Sequence, residues 1–193
     1  MSRTDLRRIG EGLTEVPAEL RGRRDLDRLD LSNNALRALP DWIAEWDGLR
    51  VLRVGRNPLT RVPASLFTMA LAELALDGTA LTSIPAELGQ MHTLVHLVLG
   101  HNPLREPPPA SLGALTALEV LDLSAAPLGE LPTWLRGLHR LTTLTVQRCG
   151  LRDLPDWLTE LPALRTVTAV GNEIDEERGY QLEEQQPRLM IVL

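Results

Sequence analysis

Lysine is absent from this 193-residue chain: all 20 basic residues are arginine, set against 26 Asp and Glu, and the formal net charge is -6. A chain without lysine has no P-loop, whose glycines are followed by one. The acidic balance argues against a general nucleic-acid binder, which needs a basic surface to neutralise phosphates. One cysteine, Cys149, excludes an intramolecular disulfide and fits a reducing compartment. Aromatic residues make up only 3%, so the core has to be aliphatic. No apolar run approaches the roughly 18 residues of a membrane span. Arg3, Arg7 and Arg8 near the N-terminus have no apolar stretch behind them, so no signal peptide is read.

What the chain has instead is leucine: 40 residues, about one in five. They are periodic. Aligned on Leu26, Leu49, Leu71, Leu94, Leu118, Leu141 and Leu164, the intervals are 23, 22, 23, 24, 23 and 23. Each unit reads LxxLxLxxN, then a Leu two residues on, then a Pro four after that. A fixed period of this length is the mark of a solenoid. Within LxxLxL the apolar residues alternate with small, polar or charged ones, the period of a strand with one buried face. The buried set runs from Leu29 and Leu31 through Leu97 and Leu99 to Val167 and Ala169.

Asn34, Asn57, Asn102 and Asn172 follow the strands, where an Asn side chain satisfies loop backbone groups. Thr79 and Cys149 do part of this; Ala126 cannot, which predicts a weaker ladder there. A second ladder is proline: Pro17, Pro40, Pro63, Pro85, Pro109, Pro132 and Pro155. Proline suits the first position of a helical turn, which predicts short helical or 3-10 segments opposite the strands.

The whole of 1–193 reads as a single domain without linker or low-complexity segment, a complete small solenoid. A degenerate repeat spans 3–25, with Arg8 in place of a buried strand residue. Six full repeats and a partial seventh span 26–174. A cap follows over 175–193: a helix from Asp175 to Gln186, stopped by Pro187, and a last strand from Leu189 to Leu193.

The repeat units LDRLDLSNNALRALPDWIAEWDG, LRVLRVGRNPLTRVPASLFTMA and LEVLDLSAAPLGELPTWLRGLHR resemble the leucine-rich repeat family, in its intracellular bacterial LxxLPxxL form. The absence of lysine fits a GC-rich bacterial genome. The resemblance implies an α/β solenoid with a curved parallel sheet on the concave side and short helical or 3-10 turns on the convex side. It also implies a protein-binding scaffold: an adaptor, a regulator or the targeting part of an effector. The location it implies is the cytoplasm, or a host cell for a secreted effector.

On the concave face each repeat turns three side chains outward. Val51, Ala75, Val98 and Val120 give an apolar strip there, and exposed apolar groups mark contact surface. Arg53 and Arg56 flank it on one side and Arg148 on the other, four strands and roughly 20 Å apart at about 4.8 Å per strand. That span suits a protein segment better than a metabolite. The expected contact residues are Val51, Arg53, Arg56, Glu73 and Asp77, then His96, Val98 and His101. Val120, Asp122, Thr145, Gln147 and Arg148 complete them. The plainer alternative is that β-branched residues simply favour strands.

Trp134 and Trp157, each two residues after a ladder proline, form a second candidate surface on the convex side. The alternative is that they cover the helical turns, as Trp46 is expected to fill the core. No catalytic grouping is visible, so the chain is not read as an enzyme. His96 and His101 with nearby carboxylates lack the support a metal site needs, so no metal or cofactor is expected. The expected function is binding another protein, as a monomer, with no nucleic-acid or membrane partner. A receptor for a small ligand or peptide, or a self-associating solenoid, are the alternatives.

Overall fold

The computed structural model describes residues 4–193. Arg3, where the expected N-terminal repeat begins, lies outside the described residues. Nine strands stand in chain order in one sheet. They are β1 (Thr4–Arg7), β2 (Leu26–Asp30), β3 (Val51–Arg53), β4 (Glu73–Ala75), β5 (His96–Val98), β6 (Val120–Asp122), β7 (Thr143–Thr145), β8 (Thr166–Thr168) and β9 (Met190–Val192). Every adjacent pair is parallel. From β2 onward the register keeps equivalent residues level, so Leu29, Leu52, Leu74, Leu97, Leu121, Leu144, Val167 and Ile191 form one row across the sheet. From Leu29 to Val167 that row is fully buried. A second row, Leu31 through Val54, Leu76, Leu99, Leu123 and Val146 to Ala169, is buried beside it. Each unit alone has one apolar face; stacking closes those faces into a continuous core.

Between the strands lie 3-10 turns, such as Asp41–Glu45, Ala64–Thr68, Thr133–Gly137 and Asp156–Glu160. The ladder prolines start them, one residue earlier than expected. Pro40, Pro63, Pro132 and Pro155 are extended cap residues, not the first helical residue. The reason lies in the carbonyl. Pro40 O accepts from Ile43 N at 3.2 Å and Pro132 O from Leu135 N at 3.1 Å, so the proline supplies the first acceptor of each turn. Leu20, Ile43, Leu66, Leu88, Leu112, Leu135 and Leu158, each three residues after a ladder proline, are buried.

The asparagines knit one repeat to the previous one. Asn57 Nδ2 donates to Leu31 O and Val54 O, each at 2.9 Å, while its Oδ1 accepts from Leu36 N at 3.0 Å. Thr79 joins the network through Asn102, and Cys149 Sγ donates to Leu123 O at 3.3 Å. Burial pushes the Cys149 thiol up to about 11, which leaves it protonated and inert. Ala126 is buried and its side chain makes no such bridge.

One residue before each rung the backbone turns left-handed. Asn33, Arg56, Gly78, His101, Ala125, Arg148 and Gly171 all have φ between 52° and 77°. Glycine and asparagine accept this conformation readily; arginine and alanine do not. Their amides donate to the next repeat, as Arg56 N does to Asp77 O and Arg148 N to Val170 O.

At the N-terminal end Arg8, level with Leu31, is half-buried and bonds Glu11 at 2.5 Å and Glu19 at 3.4 Å. At the other end the helix α1 (Glu176–Gln185) begins at Asp175, whose carboxylate accepts from Glu177 N at 2.9 Å. Trp46 is buried, and its indole donates to Leu20 O at 2.8 Å.

Candidate partner-binding surfaces

The outward side chains of the sheet form rows across the strands. One holds Arg28, Val51, Glu73, His96, Val120, Thr143, Thr166 and Met190. The next holds Asp30, Arg53, Ala75, Val98, Asp122, Thr145, Thr168 and Val192.

From β1 to β5 this face is charged and satisfied from within. Arg53 Nε donates to Glu73 Oε1 at 2.6 Å, and its Nη1 lies 4.0 Å from Asp30 Oδ2. The Glu73 hydrogen bond raises the Arg53 pKa, so the guanidinium stays charged. On its other side Glu73 faces His96 Nδ1 at 3.7 Å. Arg28 stands 4.0 Å from Asp5. Arg53 and Glu73, both expected to meet a partner, are therefore engaged with each other.

The expected apolar strip is narrower than its sequence. Val51 and Ala75 are only 9% and 7% exposed, so neither offers the open surface expected of it. Val51 shares with Arg28, Asp30 and Arg53 a crevice of about 20 Å³, too small for a ligand. Long arginine side chains cover apolar neighbours with their methylenes, an effect the repeat pattern does not reveal. Val98 and Val120 remain half-exposed.

Asp122 acts locally, since its Oδ1 accepts from Ser124 N at 2.8 Å, as Asp30 Oδ1 does from Ser32 N at 3.0 Å. Asp77 and Asp122 also lie against the backbone of Gly55 and Gly100, where a side chain would collide with the first and press on the second. Arg56, His101 and Arg148 are exposed at left-handed positions along the loop edge of the face.

From β6 to β8 the character changes. Thr143, Thr145, Gln147, Thr166 and Thr168 are half-buried, and none of their side chains makes a hydrogen bond within the described residues. Sequence reading selected Thr145 and Gln147 but passed over Thr143, Thr166 and Thr168. The repeated Thr-x-Thr of β7 and β8 was the available signal.

On the convex side Trp134 and Trp157 are both half-buried and line one groove of about 440 Å³ with Glu130, Leu131, Pro132 and Asp153. Among the described residues, no three His, Cys, Asp or Glu side chains gather closely enough to hold a metal ion, and no helix is long and apolar enough to cross a membrane.

No family model matches the chain. Mouse leucine-rich repeat and calponin homology domain-containing protein 1 is 36% identical over 85 residues, 44% of this chain and 12% of that protein. The chain thus spans a small part of this curated relative. Among solved structures, a leucine-rich repeat protein of Leptospira interrogans superposes with a TM-score of 0.75 at 24% identity, over 93% of this chain and 52% of that one. The leucine-rich repeat ectodomain of the Arabidopsis receptor kinase HAESA, solved with a peptide hormone bound, gives 0.72 at 29% identity, over 83% and 28%. With the repeat, the single parallel sheet and these likenesses together, the chain belongs to the leucine-rich repeat family. It is an α/β solenoid.

Proposed function

We propose that the chain is a protein-interaction module that holds a segment of a partner protein against the concave face of β5 to β8. The observation that carries this is the row of side chains without internal partners: Thr143, Thr145, Gln147, Thr166 and Thr168 beside half-exposed Val98 and Val120. Hydroxyls and an amide donate and accept, so they match a partner's backbone, while the valines supply dry contact. The sheet holds them in place before binding, which lowers the ordering cost of association. Arg56, His101 and Arg148 add charge at the rim, and Asp77 and Asp122 at the floor. The Arg53–Glu73 pair forms the boundary of the site. HAESA with its hormone offers a precedent for a peptide on this fold, not an identity for the partner.

The role is binding and not catalysis, as an adaptor, a regulator or an effector's targeting part. A bacterial cytoplasmic setting is supported by the lysine-free composition and the single buried cysteine. The whole of 1–193 is read as one such module, acting as a monomer on a protein and not on nucleic acid or membrane.

The test is capture from native lysate with wild type, Val98→Arg, Thr145→Arg and Trp134→Ala/Trp157→Ala baits, with melting temperatures measured alongside. A partner lost with the two concave variants, at unchanged melting temperature, supports the concave site. A partner kept by both and lost with the tryptophan variant moves the site to the convex side.

A further inference from the structure

The groove between Trp134 and Trp157 carries features that the concave reading does not use. The two indoles come from adjacent 3-10 turns, Thr133–Gly137 and Asp156–Glu160. Trp46 Nε1 is bonded to Leu20 O, but neither Trp134 nor Trp157 makes a hydrogen bond through its indole N–H within the described residues. Two aromatic donors are thus left free beside one groove. Its volume, about 440 Å³, is enough for a few side chains of a ligand.

The lining is also selective in charge. Glu130 is exposed, lines the groove and has no ion-pair partner among the described residues. Asp153, the other carboxylate of the lining, is bonded by Arg178 Nε at 2.9 Å. No arginine or histidine lines this groove. Beyond Trp157 the surface changes: Arg136 pairs with Glu160 at 3.0 Å. The groove is therefore aromatic, lined by Pro132 and Pro155, and acidic.

We infer that this groove binds a proline-rich segment of a partner protein carrying an arginine or lysine, in the polyproline II conformation. Three features point to that occupant. A polyproline II chain makes no internal hydrogen bonds, so its carbonyls are open to indole donors. It repeats every three residues, roughly 9 Å at about 3.1 Å per residue, so it presents equivalent faces in succession to a groove built from two adjacent repeats. Trp134 and Trp157, one repeat apart, offer such a ligand two aromatic contacts. Tryptophan attracts cations through its ring face, and unpaired Glu130 supplies the matching charge. The site is independent of the concave face and stands or falls without it.

The experiment uses the full chain, labelled so that its four indole N–H groups are observed by NMR. The probes are acetyl-Pro-Pro-Pro-Arg-Pro-Pro-Pro-amide, the same peptide with citrulline for arginine, and one with glycine and serine replacing the prolines. Trp134→Phe and Trp157→Phe assign the signals. The expected result is a dose-dependent shift of the Trp134 and Trp157 indoles while Trp46 stays still. Citrulline in the peptide, or Glu130→Gln in the protein, should each weaken binding by about fivefold, the scale of one exposed ion pair. Glu130 is exposed, so its variant stays folded. Failure of either indole to shift at millimolar peptide overturns the inference. Equal binding of the glycine-serine peptide overturns it too, by reducing the effect to charge.

Discussion

Glu183 accepts a hydrogen bond from the backbone of Ile191 at 2.7 Å, so the helix α1 reaches round to close the open side of β9. Met190 N donates to Arg165 O and Val192 O accepts from Ala169 N, so both residues face β8. By strand alternation the Ile191 amide points the other way, where no strand lies. Met190 and Val192 are 53% and 37% exposed, and β9 contains no charged residue or proline. An edge of this kind recruits other strands unless something blunts it. Glu183→Ala is expected to move sedimentation toward dimer relative to the wild type at equal concentration. Identical sedimentation of the two would show that the carboxylate does not guard the edge.

Ala126 occupies the position that Asn57 and Asn102 fill with a bonded side chain, and the asparagines show what it lacks. Asn57→Ala should cost about 1–3 kcal/mol, because buried backbone groups lose their partners. The reverse change, Ala126→Asn, should stabilise by about 1 kcal/mol as the missing rung is restored. Urea denaturation measures both. A destabilising Ala126→Asn would mean that the backbone has closed over the gap.

Much of this architecture is legible in the leucine spacing. Strand, core and loop follow from it because every repeat obeys the same period, and the buried faces of Leu29, Leu52 and Leu74 are set by alternation alone. The concave surface is less legible. Val51 and Val120 hold the same place in the repeat, yet one is buried and the other half-exposed. Arg28 of the preceding strand stands level with Val51, whereas His96 and Thr143 flank Val120, a relation across strands that alternation along one strand does not encode. The left-handed backbone was hidden for a related reason. Gly78 and Gly171 hint at it, but Arg56, His101 and Arg148 hold the same place and mask the pattern.

Asp25 ties β1 to the loop before β2. Its carboxylate takes bonds from Arg23 Nε at 2.6 Å, Arg23 Nη2 at 2.7 Å and Thr4 Oγ1 at 2.8 Å. These, Arg23 first, hold its pKa well below the usual carboxylate range. A carboxyl whose pKa is lower folded than unfolded contributes stability above its unfolded value of about 3.9. That contribution is lost as pH falls from there toward the folded value. Protection of the β1 amides from hydrogen exchange, taken relative to the intrinsic rate at each pH, should therefore fall below about pH 4 in the wild type. In Asp25→Asn the same amides should exchange faster at neutral pH and show a smaller acid step. An undiminished acid step in the variant would assign it to another carboxylate.

Arg148 carries a backbone cost. Its φ of 52° is one that L-residues other than asparagine and aspartate rarely adopt, at roughly 1–2 kcal/mol. Glycine holds the same place at Gly78 and Gly171. The Arg148 side chain is exposed, has no ion-pair partner among the described residues and lies against Gly171 through its Cγ. Arg148→Gly is therefore expected to raise stability by about 1 kcal/mol in urea denaturation, less what that contact is worth. The same variant should weaken the captured partner, because the rim loses its cation. Stabilisation with binding intact would remove Arg148 from the interface. Destabilisation would show that packing on Gly171 outweighs the strain, and that the residue is held there by the fold and not by a partner.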